Sequence, residues 1–188
     1  MHVGPTLIVD TFAEAFRMRY GRLVVTAADD YWLHAALQAL CGYGTSVIAC
    51  DAEVGVEQHL SGVADAPAPA TPDGRPGAAV LLFGFSTDQL SKAAPNRVGQ
   101  CLLTCPTTAV FNGLSNSEEQ VPLGKKLRFF GDGYQKSKLL SGRRYWRIPV
   151  MDGEFLVEEQ LGVEKGIAGG NLIIQGVDQS TTLAAARR

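Results

Sequence analysis

The amino-acid sequence predicts an α+β fold: a ferredoxin-like βαββαβ sandwich with an added β-hairpin, followed by the opening of a second ferredoxin-like lobe. Three observations predict this architecture. Four β-rich runs and two helical segments follow one another in the order β-α-β-β-α-β, a basic pair of strand-like segments comes next, and a strand-then-helix pattern begins again at Gly166. We therefore expect a first lobe over residues 1–150 and the start of an incomplete second lobe over residues 151–188.

The first half of the predicted sandwich lies between residues 22 and 50. Residues 22–28 form a β-rich run, and residues 29–41 repeat apolar side chains at the spacing of one helix face. That face consists of Leu33, Ala36, Leu37, Leu40 and Cys41. Gly42 and Gly44 then end the helix, and residues 45–50 are the second predicted strand.

The second half of the sandwich follows a long loop. Residues 62–77 are rich in Ala and Pro and poor in bulky apolar side chains, which is typical of a loop. Residues 78–83 are the third predicted strand, residues 86–94 the second helix and residues 100–104 the fourth strand. Two helix starts fit a capping box. These pairs are Ser86 with Gln89, and Thr11 with Glu14.

A basic segment follows the predicted sandwich. Residues 124–147 contain eight Lys or Arg side chains and one acidic side chain, Asp132. Alternating side chains at 125–130 and 143–148 predict a β-hairpin, with turns at 131–133 and 141–142. The basic side chains form either a solvated face of that hairpin or a surface that attracts an anionic ligand.

The last segment predicts a new strand and a short helix. Residues 171–175 are an apolar run, and Ser180 is placed to cap a helix over residues 183–188. A helix of about two turns is too short to be stable alone, so we expect it to pack within a second lobe.

Composition indicates a globular, cytoplasmic protein. The formal net charge is -2, 46% of the residues are hydrophobic, and the longest apolar stretch, near residues 78–85, is far shorter than the roughly 18 residues of a membrane span. The four cysteines are too scattered for a disulfide scaffold or a zinc site, so we expect small, buried hydrophobic side chains and no metal. These are Cys41, Cys50, Cys101 and Cys105.

Two turn-forming, charged loops are the candidate binding surfaces. Residues 71–77 present Asp73 and Arg75 between prolines and glycines, so Arg75 is placed either to bind a carboxylate or to pair locally with Asp73. Residues 129–135 present Asp132, Tyr134 and Gln135, an acid, a phenol and an amide. This second set suits the hydrogen-bonding edge of a pterin or a formamide, and a tight packed turn is the alternative.

Two further sites carry candidate residues. Gly169, Gly170 and Asn171 permit close approach of a ligand to the backbone, although a β-bulge explains them equally well. Glu154 and Glu158 share one side of a predicted strand over residues 153–159. Paired carboxylates can tune each other toward proton transfer, while a solvated sheet edge is the simpler interpretation.

Five separated segments of the chain, occurring in the same order, resemble the formylmethanofuran:tetrahydromethanopterin formyltransferase family. They are 10–16 (DTFAEAF), 71–77 (TPDGRPG), 96–101 (NRVGQC), 129–135 (FFGDGYQ) and 169–171 (GGN). The resemblance covers the whole sequence given, and it implies two lobes of related α/β sandwich fold. Chains of that family continue well beyond the position of Arg188, so we expect most of the second lobe to be missing.

The resemblance implies formyl transfer between formylmethanofuran and tetrahydromethanopterin, giving 5-formyltetrahydromethanopterin and methanofuran. Methanofuran and tetrahydromethanopterin then serve as coenzyme substrates, with no prosthetic group. The implied partners are copies of the same chain or subunits of a formyltransferase/hydrolase complex, with no nucleic acid and no membrane. The alternative is a truncated, catalytically inactive subunit that binds substrate or supports assembly.

Candidate roles follow from this chemistry. Attack of a nitrogen on a formamide requires groups that manage protons, donors for the oxyanion and rigid alignment of two large substrates. The candidate catalytic residues are Asp132, Tyr134 and Glu154. The candidate substrate-binding residues are Asp73, Arg75, Gln135, Gly169, Gly170 and Asn171.

Overall fold

The computed structural model describes residues 1–44, 46–62 and 69–187. The strands are β1 (His2–Val3), β2 (Thr6–Leu7), β3 (Phe16–Thr26), β4 (Glu53–Leu60), β5 (Gly77–Gly84), β6 (Ala109–Asn112), β7 (Glu119–Pro122), β8 (Lys136–Leu140), β9 (Arg143–Val150), β10 (Gly153–Glu158) and β11 (Gln160–Ala168). The helices are α1 (Asp30–Cys41), α2 (Thr87–Arg97), α3 (Gly124–Leu127) and α4 (Gln179–Ala186), with a π-helical segment at Val98–Leu102 and a 3₁₀ segment at Arg128–Gly131.

The chain forms two compact units. The larger unit spans Met18–Gly166 and contains the main sheet. The smaller unit combines residues 1–17 with residues 167–187. It contains the β1–β2 hairpin, in which His2 lies opposite Leu7, and helix α4.

The predicted β-α-β-β-α-β order is present in the larger unit as β3-α1-β4-β5-α2-β6. These four strands lie side by side in the order β4-β5-β3-β6, and each neighbouring pair is antiparallel. Beyond β6 the sheet continues through β10, which is parallel to β6, and then through the antiparallel strands β9 and β8. Helices α1 and α2 pack against this sheet and close its main hydrophobic core.

A side chain caps the start of each core helix, at Asp29 for α1 and at the predicted Ser86 for α2. The Asp29 carboxylate accepts a hydrogen bond from the backbone N–H of Trp32, at the start of α1. The apolar face of α1 is buried as predicted, at Leu33, Ala36, Leu37 and Leu40. Ser86 caps α2 by accepting from the N–H of Gln89. The Gln89 side chain accepts from Phe85 rather than from Ser86, so the predicted capping box is only half formed.

The sheet divides beside strand β3. One edge of β3 is covered by β5, while its other edge pairs with β6 over residues 23–26 and also with β11. Strand β6 leads to an arm of β10, β9 and β8, and β11 leads to β7. We call the point where these two arms separate the sheet fork. Asn112 ends β6 at this fork, and the next residue, Gly113, donates its N–H to the carbonyl of Arg22 in β3.

Two predicted strands are wrong. Residues 46–50 form hydrogen-bonded turns because the N–H groups of Ala49 and Cys50 both bond to the carbonyl of Ser46; Thr45 lies outside the described residues. The second strand of the sandwich is instead β4. Residues 100–104 continue helix α2 through the π-helical segment, in which Val98 donates to the carbonyls of Ala94 and Pro95. The fourth strand of the sandwich is therefore β6.

The basic hairpin is present with a different first strand. Residues 125–130 form α3 and the 3₁₀ segment, not a strand. The partner of β9 is β8, and the predicted turn at 141–142 joins them with Ser141 and Gly142 both at positive φ. The predicted bend at 131–133 lies before β8, where Asp132 adopts a left-handed conformation with φ 47° and ψ 41°.

Other predictions near the chain ends are also corrected. Residues 8–15 form neither helix nor strand, so Thr11 and Glu14 cap nothing. Residues 171–175 form no strand. Helix α4 begins after Asp178, whose carboxylate accepts from the N–H of Thr181, rather than after Ser180. Arg188 and residues 63–68 of the predicted long loop lie outside the described residues.

The cysteines are less buried than the sequence predicts. All four cysteines are free thiols, but each is partly rather than fully buried. Burial raises the pKa of Cys41, Cys101 and Cys105, and these three pack against the main core.

The predicted boundary between residues 150 and 151 stays a prediction, and strands β10 and β11 pair with strands of the main sheet.

Close packing at the fork gives the first testable prediction. A Cβ atom added at Gly162 in β11 meets the backbone carbonyl oxygen of Leu114 at 2.1 Å, whereas a Cβ at Gly55 in β4 meets nothing within 4 Å. We expect Gly162→Ala to lower the free energy of unfolding by at least about 2 kcal/mol. The matched substitution Gly55→Ala should change it by less than about 1 kcal/mol. Urea unfolding of both variants measures the difference, and equal stabilities would contradict this description of the fork.

Candidate functional site

A cleft opens where the two arms of the sheet separate. Its volume is about 410 Å³, within the range of small-molecule sites. Strands β6, β7, β9, β10 and β11 supply its polar lining, together with the turn between β8 and β9. The polar side chains used below are Asn112, Gln120, Arg143, Arg144, Glu158 and Glu159. We call this space the fork cleft.

Glu158 is the buried charge of the fork cleft. The residue is only 4% exposed. Its Oε2 accepts a hydrogen bond of 2.9 Å from the backbone N–H of Asn112, and its Oε1 lies 3.6 Å from Nη1 of Arg143. Burial raises the pKa of the Glu158 carboxyl, while the Asn112 N–H and the Arg143 guanidinium oppose that rise.

Aromatic neighbours account for this burial. Glu158 lies directly opposite Tyr145 in the β9–β10 ladder. The Tyr145 ring packs edge-to-face on Phe111, with 6.1 Å between centroids. The pKa of Tyr145 is raised, first by its own burial and then by the Glu158 charge. Glu158 is therefore a carboxylate with an aromatic wall on one side and a polar cleft on the other.

Asn112 fixes the shape of the fork. Its Oδ1 accepts from the backbone N–H groups of Leu114 at 2.9 Å and Gly162 at 3.0 Å. Because two N–H donors point at this atom, it is the oxygen of the amide, and the NH₂ group points the other way. That NH₂ has no hydrogen-bond partner within residues 1–44, 46–62 and 69–187, yet no side-chain polar atom there is both fully buried and unpaired. The NH₂ group is therefore not fully buried, and Asn112 is one of the residues that line the fork cleft.

Glutamates neutralise the arginines of β9. Arg144 lies 3.8 Å from Glu159, whose carboxylate also accepts from the indole N–H of Trp146 at 2.9 Å. Arg147 contacts Glu154 at 2.5 Å, and Arg143 faces Glu158. Three of the eight basic side chains of the segment are thus paired with acidic side chains of β10 and the residue that follows it.

The predicted pair Asp73 and Arg75 lies together at one end of the sheet. Nε of Arg75 donates to Asp73 at 2.8 Å, Nη2 to the Thr26 hydroxyl at 2.9 Å and Nη1 to the carbonyl of Thr107 at 2.5 Å. The backbone N–H of Thr107 in turn donates to Asp152 at 2.7 Å. This network ties the 71–77 loop to strand β3 and to the loops before β6 and β10.

Asp132, Tyr134 and Gln135 lie on one exposed bend before β8. Asp132 and Tyr134 are exposed to solvent, and Tyr134 is 79% accessible. Gln135 stabilises the bend because its Oε1 accepts from the backbone N–H of Gly133 at 2.9 Å. Gly131 permits this geometry, since a Cβ there meets Gln135 at 2.8 Å.

The remaining predicted residues are Glu154 in strand β10 and three residues of the smaller unit. Glu154 is half-exposed and paired with Arg147. It stands four residues from Glu158 on one strand, a separation of roughly 13 Å at about 3.3 Å per residue, so the two carboxylates do not form a contacting pair. Gly169, Gly170 and Asn171 belong to the smaller unit, where Gly169 has φ 103° and approaches the Phe16 ring.

The sequence prediction missed the residues that line the fork cleft. Asn112 ends a short buried strand, and Arg143 opens β9. The sequence pattern indicates Glu158 only as a carboxylate on the same strand face as Glu154. One signal points to it, because a carboxylate directly follows the apolar run Phe155, Leu156 and Val157.

Among the described residues, no three His, Cys, Asp or Glu side chains are placed to hold a metal ion together. No helix formed by these residues is long and apolar enough to cross a membrane.

Comparison with known families decides what kind of chain this is. The family profile described as formylmethanofuran-tetrahydromethanopterin formyltransferase matches residues 1–150. The profile of the same family's proximal lobe matches residues 153–188. The chain belongs to this formyltransferase family.

Individual relatives agree with the family assignment. The chain is 53% identical over 186 residues to a formylmethanofuran–tetrahydromethanopterin formyltransferase from Methylococcus capsulatus, covering 98% of this chain and 60% of that protein. It is 47% identical over 188 residues to a relative of the same name from Methylobacillus flagellatus, covering 98% of this chain and 60% of the relative. The chain thus spans about 60% of the length of these relatives.

Solved structures of the formyltransferase family share the fold. The formyltransferase from Methanosarcina barkeri superposes with a TM-score of 0.86 at 44% identity, covering 99% of this chain and 61% of that one. A chain of the formyltransferase/hydrolase complex from Methylorubrum extorquens, solved with methylofuran, gives a TM-score of 0.83 at 44% identity over 95% of this chain and 58% of that one.

The raised pKa of Glu158 predicts how stability changes with pH. A carboxyl whose folded pKa lies above its ordinary value near 4.5 stabilises the fold below that value, and this contribution is lost as the pH rises through the folded pKa. Glu158→Gln keeps an acceptor for the Asn112 N–H and removes the buried charge. We therefore compare the melting temperature of Glu158→Gln with that of the unsubstituted chain. The difference, variant minus unsubstituted, should increase as the pH rises from about 4 to about 8.

The control for this experiment is Glu118→Gln, because Glu118 is exposed and its replacement removes the same single negative charge. Its melting temperature relative to the unsubstituted chain should stay constant across the same pH range. A Glu158→Gln difference that also stays constant would contradict the burial of an ionisable carboxyl at the fork.

Proposed function

We propose that the protein carrying this chain transfers a formyl group between formylmethanofuran and tetrahydromethanopterin, giving 5-formyltetrahydromethanopterin and methanofuran. The observation that carries the proposal is the 53% identity, along 98% of this chain, to a relative with that name. The aligned region spans 98% of the chain, so it covers the fork cleft and both charged loops.

The reaction sets clear demands on side chains. A nitrogen of tetrahydromethanopterin attacks the formamide carbon and loses its proton, while the carbonyl oxygen gains negative charge in a tetrahedral adduct. The C=O bond then re-forms as the C–N bond to methanofuran breaks, and the methanofuran nitrogen takes a proton. No electrons are exchanged with an oxidant or reductant. The transfer therefore needs proton-handling groups and hydrogen-bond donors, which amino-acid side chains supply.

We assign proton handling to Asp132, Tyr134 and Glu154. Asp132 and Tyr134 share one exposed bend, which is supported by Gln135 and leaves their polar atoms accessible to a substrate. Glu154 is held in place by Arg147, whose Nη2 lies 2.5 Å from its Oε2.

We assign substrate contacts to the remaining candidates. Arg75 uses one N–H from each of its three nitrogens within the fold, which leaves one N–H on each terminal nitrogen for a substrate carboxylate. Asp73 orients that guanidinium, and Gln135 offers its amide NH₂. In the smaller unit, the exposed backbone at Gly170 and Asn171, with Gly169 before it, is the proposed third contact.

The proposed reaction also indicates the coenzymes, the partners and the cellular location of the protein. Methanofuran and tetrahydromethanopterin act as coenzyme substrates without a prosthetic group. We expect the protein to self-associate or to join subunits of a formyltransferase/hydrolase complex, the kind of assembly solved from Methylorubrum extorquens. We also propose a cytoplasmic location, which the four free thiols support because reducing compartments keep cysteines unpaired.

The direct experiment is a transfer assay on the native protein purified from its source. Formylmethanofuran and tetrahydromethanopterin are supplied together, and mass spectrometry follows 5-formyltetrahydromethanopterin. We expect product only when both substrates and the protein are present. Binding of methanofuran with no product would overturn the proposal in favour of an inactive binding or assembly subunit.

Asp132→Asn tests the assignment of proton handling. Asn tolerates the left-handed conformation that Asp132 adopts, so the melting temperature should hardly change. We expect kcat to fall at least about tenfold, equivalent to about 1.4 kcal/mol of barrier. The control is Asp30→Asn, which removes an exposed acid from the first turn of α1 and should leave kcat unchanged. Unchanged turnover in Asp132→Asn would remove this residue from the chemistry.

A further inference from the structure

We propose that Asp152 and Thr107 are positioning residues: Asp152 fixes the backbone of Thr107, and the Thr107 carbonyl then holds the Arg75 guanidinium in the orientation that binds substrate. The inference rests on the proposed function, which assigns a substrate contact to Arg75. It goes beyond that assignment, because it gives a role in substrate binding to two residues that act through Arg75 and are not themselves candidates from the sequence.

Thr107 has an unusual backbone conformation. Its φ is 66°, in the left-handed region. Three non-glycine residues of the described ranges have a positive φ, and Thr107 is the β-branched one among them. A β-branched residue is a genuine outlier at such angles, because its side chain crowds the backbone. Conformations of this kind persist where surrounding contacts fix them, and they are concentrated at functional sites.

Three hydrogen bonds fix this conformation of Thr107. Its backbone N–H donates to Oδ2 of Asp152 at 2.7 Å, and its Oγ1 accepts from the N–H of Ala28 at 3.1 Å. Its carbonyl oxygen accepts from Nη1 of Arg75 at 2.5 Å. The first two bonds hold the N–H and the side chain, so they also set the direction in which the carbonyl points.

Strand pairing explains why Asp152 reaches Thr107. Strands β6 and β10 are parallel, with Ala109 opposite Leu156, so both strands begin at the same end of the sheet. Thr107 lies two residues before β6, and Asp152 lies directly before β10. The two residues are 45 positions apart in sequence and become neighbours through this pairing.

The Arg75 guanidinium needs such an anchor to bind substrate well. Its side chain is 32% exposed, and Asp73 and the Thr26 hydroxyl hold Nε and Nη2. The Thr107 carbonyl holds one N–H of Nη1, which directs the other N–H of that nitrogen toward a ligand. Without this contact the guanidinium has more freedom to lose when a substrate binds, so the affinity falls.

Two substitutions of one residue test the role of Asp152. Both Asp152→Ala and Asp152→Asn remove an exposed charge, but the Asn side chain keeps an oxygen that accepts from the Thr107 N–H. Formylmethanofuran and tetrahydromethanopterin are titrated separately into the protein carrying this chain, and calorimetry gives each dissociation constant. We expect Asp152→Ala to raise one of the two constants at least roughly fivefold, and Asp152→Asn to change it less than about twofold.

The control for these titrations is Glu118→Gln, which removes one exposed charge and should leave both constants unchanged. Two results would overturn the proposal: equal constants for Asp152→Ala and Asp152→Asn, or no binding of either substrate to the unsubstituted protein.

A double-mutant cycle tests whether Asp152 acts through Arg75. Arg75→Met removes the guanidinium that the Thr107 carbonyl holds. In that background Asp152→Ala should change the dissociation constant less than about twofold, because coupled residues are not additive. The full weakening in both backgrounds would overturn the proposal. The comparison of Asp152→Ala with Asp152→Asn decides the question if Arg75→Met does not fold.

The transfer assay separates this inference from the proposed function. Asp152→Ala should raise KM for the same substrate and leave kcat within about twofold, because the lost interaction serves binding. Formyl transfer that is equally efficient in Asp152→Ala and Asp152→Asn would reject the positioning role and leave the transferase assignment standing. Substrate binding that depends on Asp152, in a protein that transfers no formyl group, would retain the positioning role and reject the reaction.

Discussion

The hydrogen bonds of one amide side chain, that of Asn112, connect the two arms of the sheet at the point where they separate. Strand β3 can pair with only one strand at each point of its free edge, so β6 and β11 must diverge as they leave it. Divergence interrupts the backbone ladder and leaves the N–H groups of Leu114 and Gly162 without a strand partner. Oδ1 of Asn112 accepts both of them. Leaving such buried donors unpaired would cost about 1–3 kcal/mol each.

The same residue explains the buried carboxylate beside it. The Asn112 backbone N–H is also left at the fork, and Glu158 accepts it at 2.9 Å. Burying a carboxylate is unfavourable unless hydrogen bonds or charges compensate. Here the Asn112 N–H and the Arg143 guanidinium compensate the Glu158 charge, and Glu158 also lines the fork cleft. The chemistry of the fork cleft thus follows from the need to satisfy backbone groups where a sheet divides.

The sequence predicts local elements well and long-range pairing poorly. Helix α1 and the cap of α2 follow from side chains within four residues, at Asp29 and Ser86, so the pattern determines them. Residues 100–104 are β-rich in composition, yet helix α2 runs on through Pro95 into a π-helical segment because tertiary packing overrides propensity. In residues 125–130 polar and apolar side chains likewise alternate as in a strand, but these residues form α3 and the 3₁₀ segment. Strand β9 therefore pairs with β8 instead.

The candidate site shows the same limit. Asp73 with Arg75, and Asp132 with Tyr134 and Gln135, are close in sequence, and the turns that hold them are visible in their glycines and prolines. Asn112, Arg143 and Glu158 are separated by up to 46 residues and meet only because β6, β9 and β10 become neighbours. No spacing rule connects them, so their assembly depends on the parallel pairing of β6 with β10, which the sequence does not specify.

Amide hydrogen exchange of the native chain tests the central claim most directly. If Asn112 closes the fork, the N–H groups of Leu114 and Gly162 should exchange slowly, like those in the β3–β5 ladder, and Asn112→Ala should accelerate these two while that ladder stays protected. The account would be contradicted if both exchange as fast as the exposed turn at residues 115–116 in the unsubstituted chain.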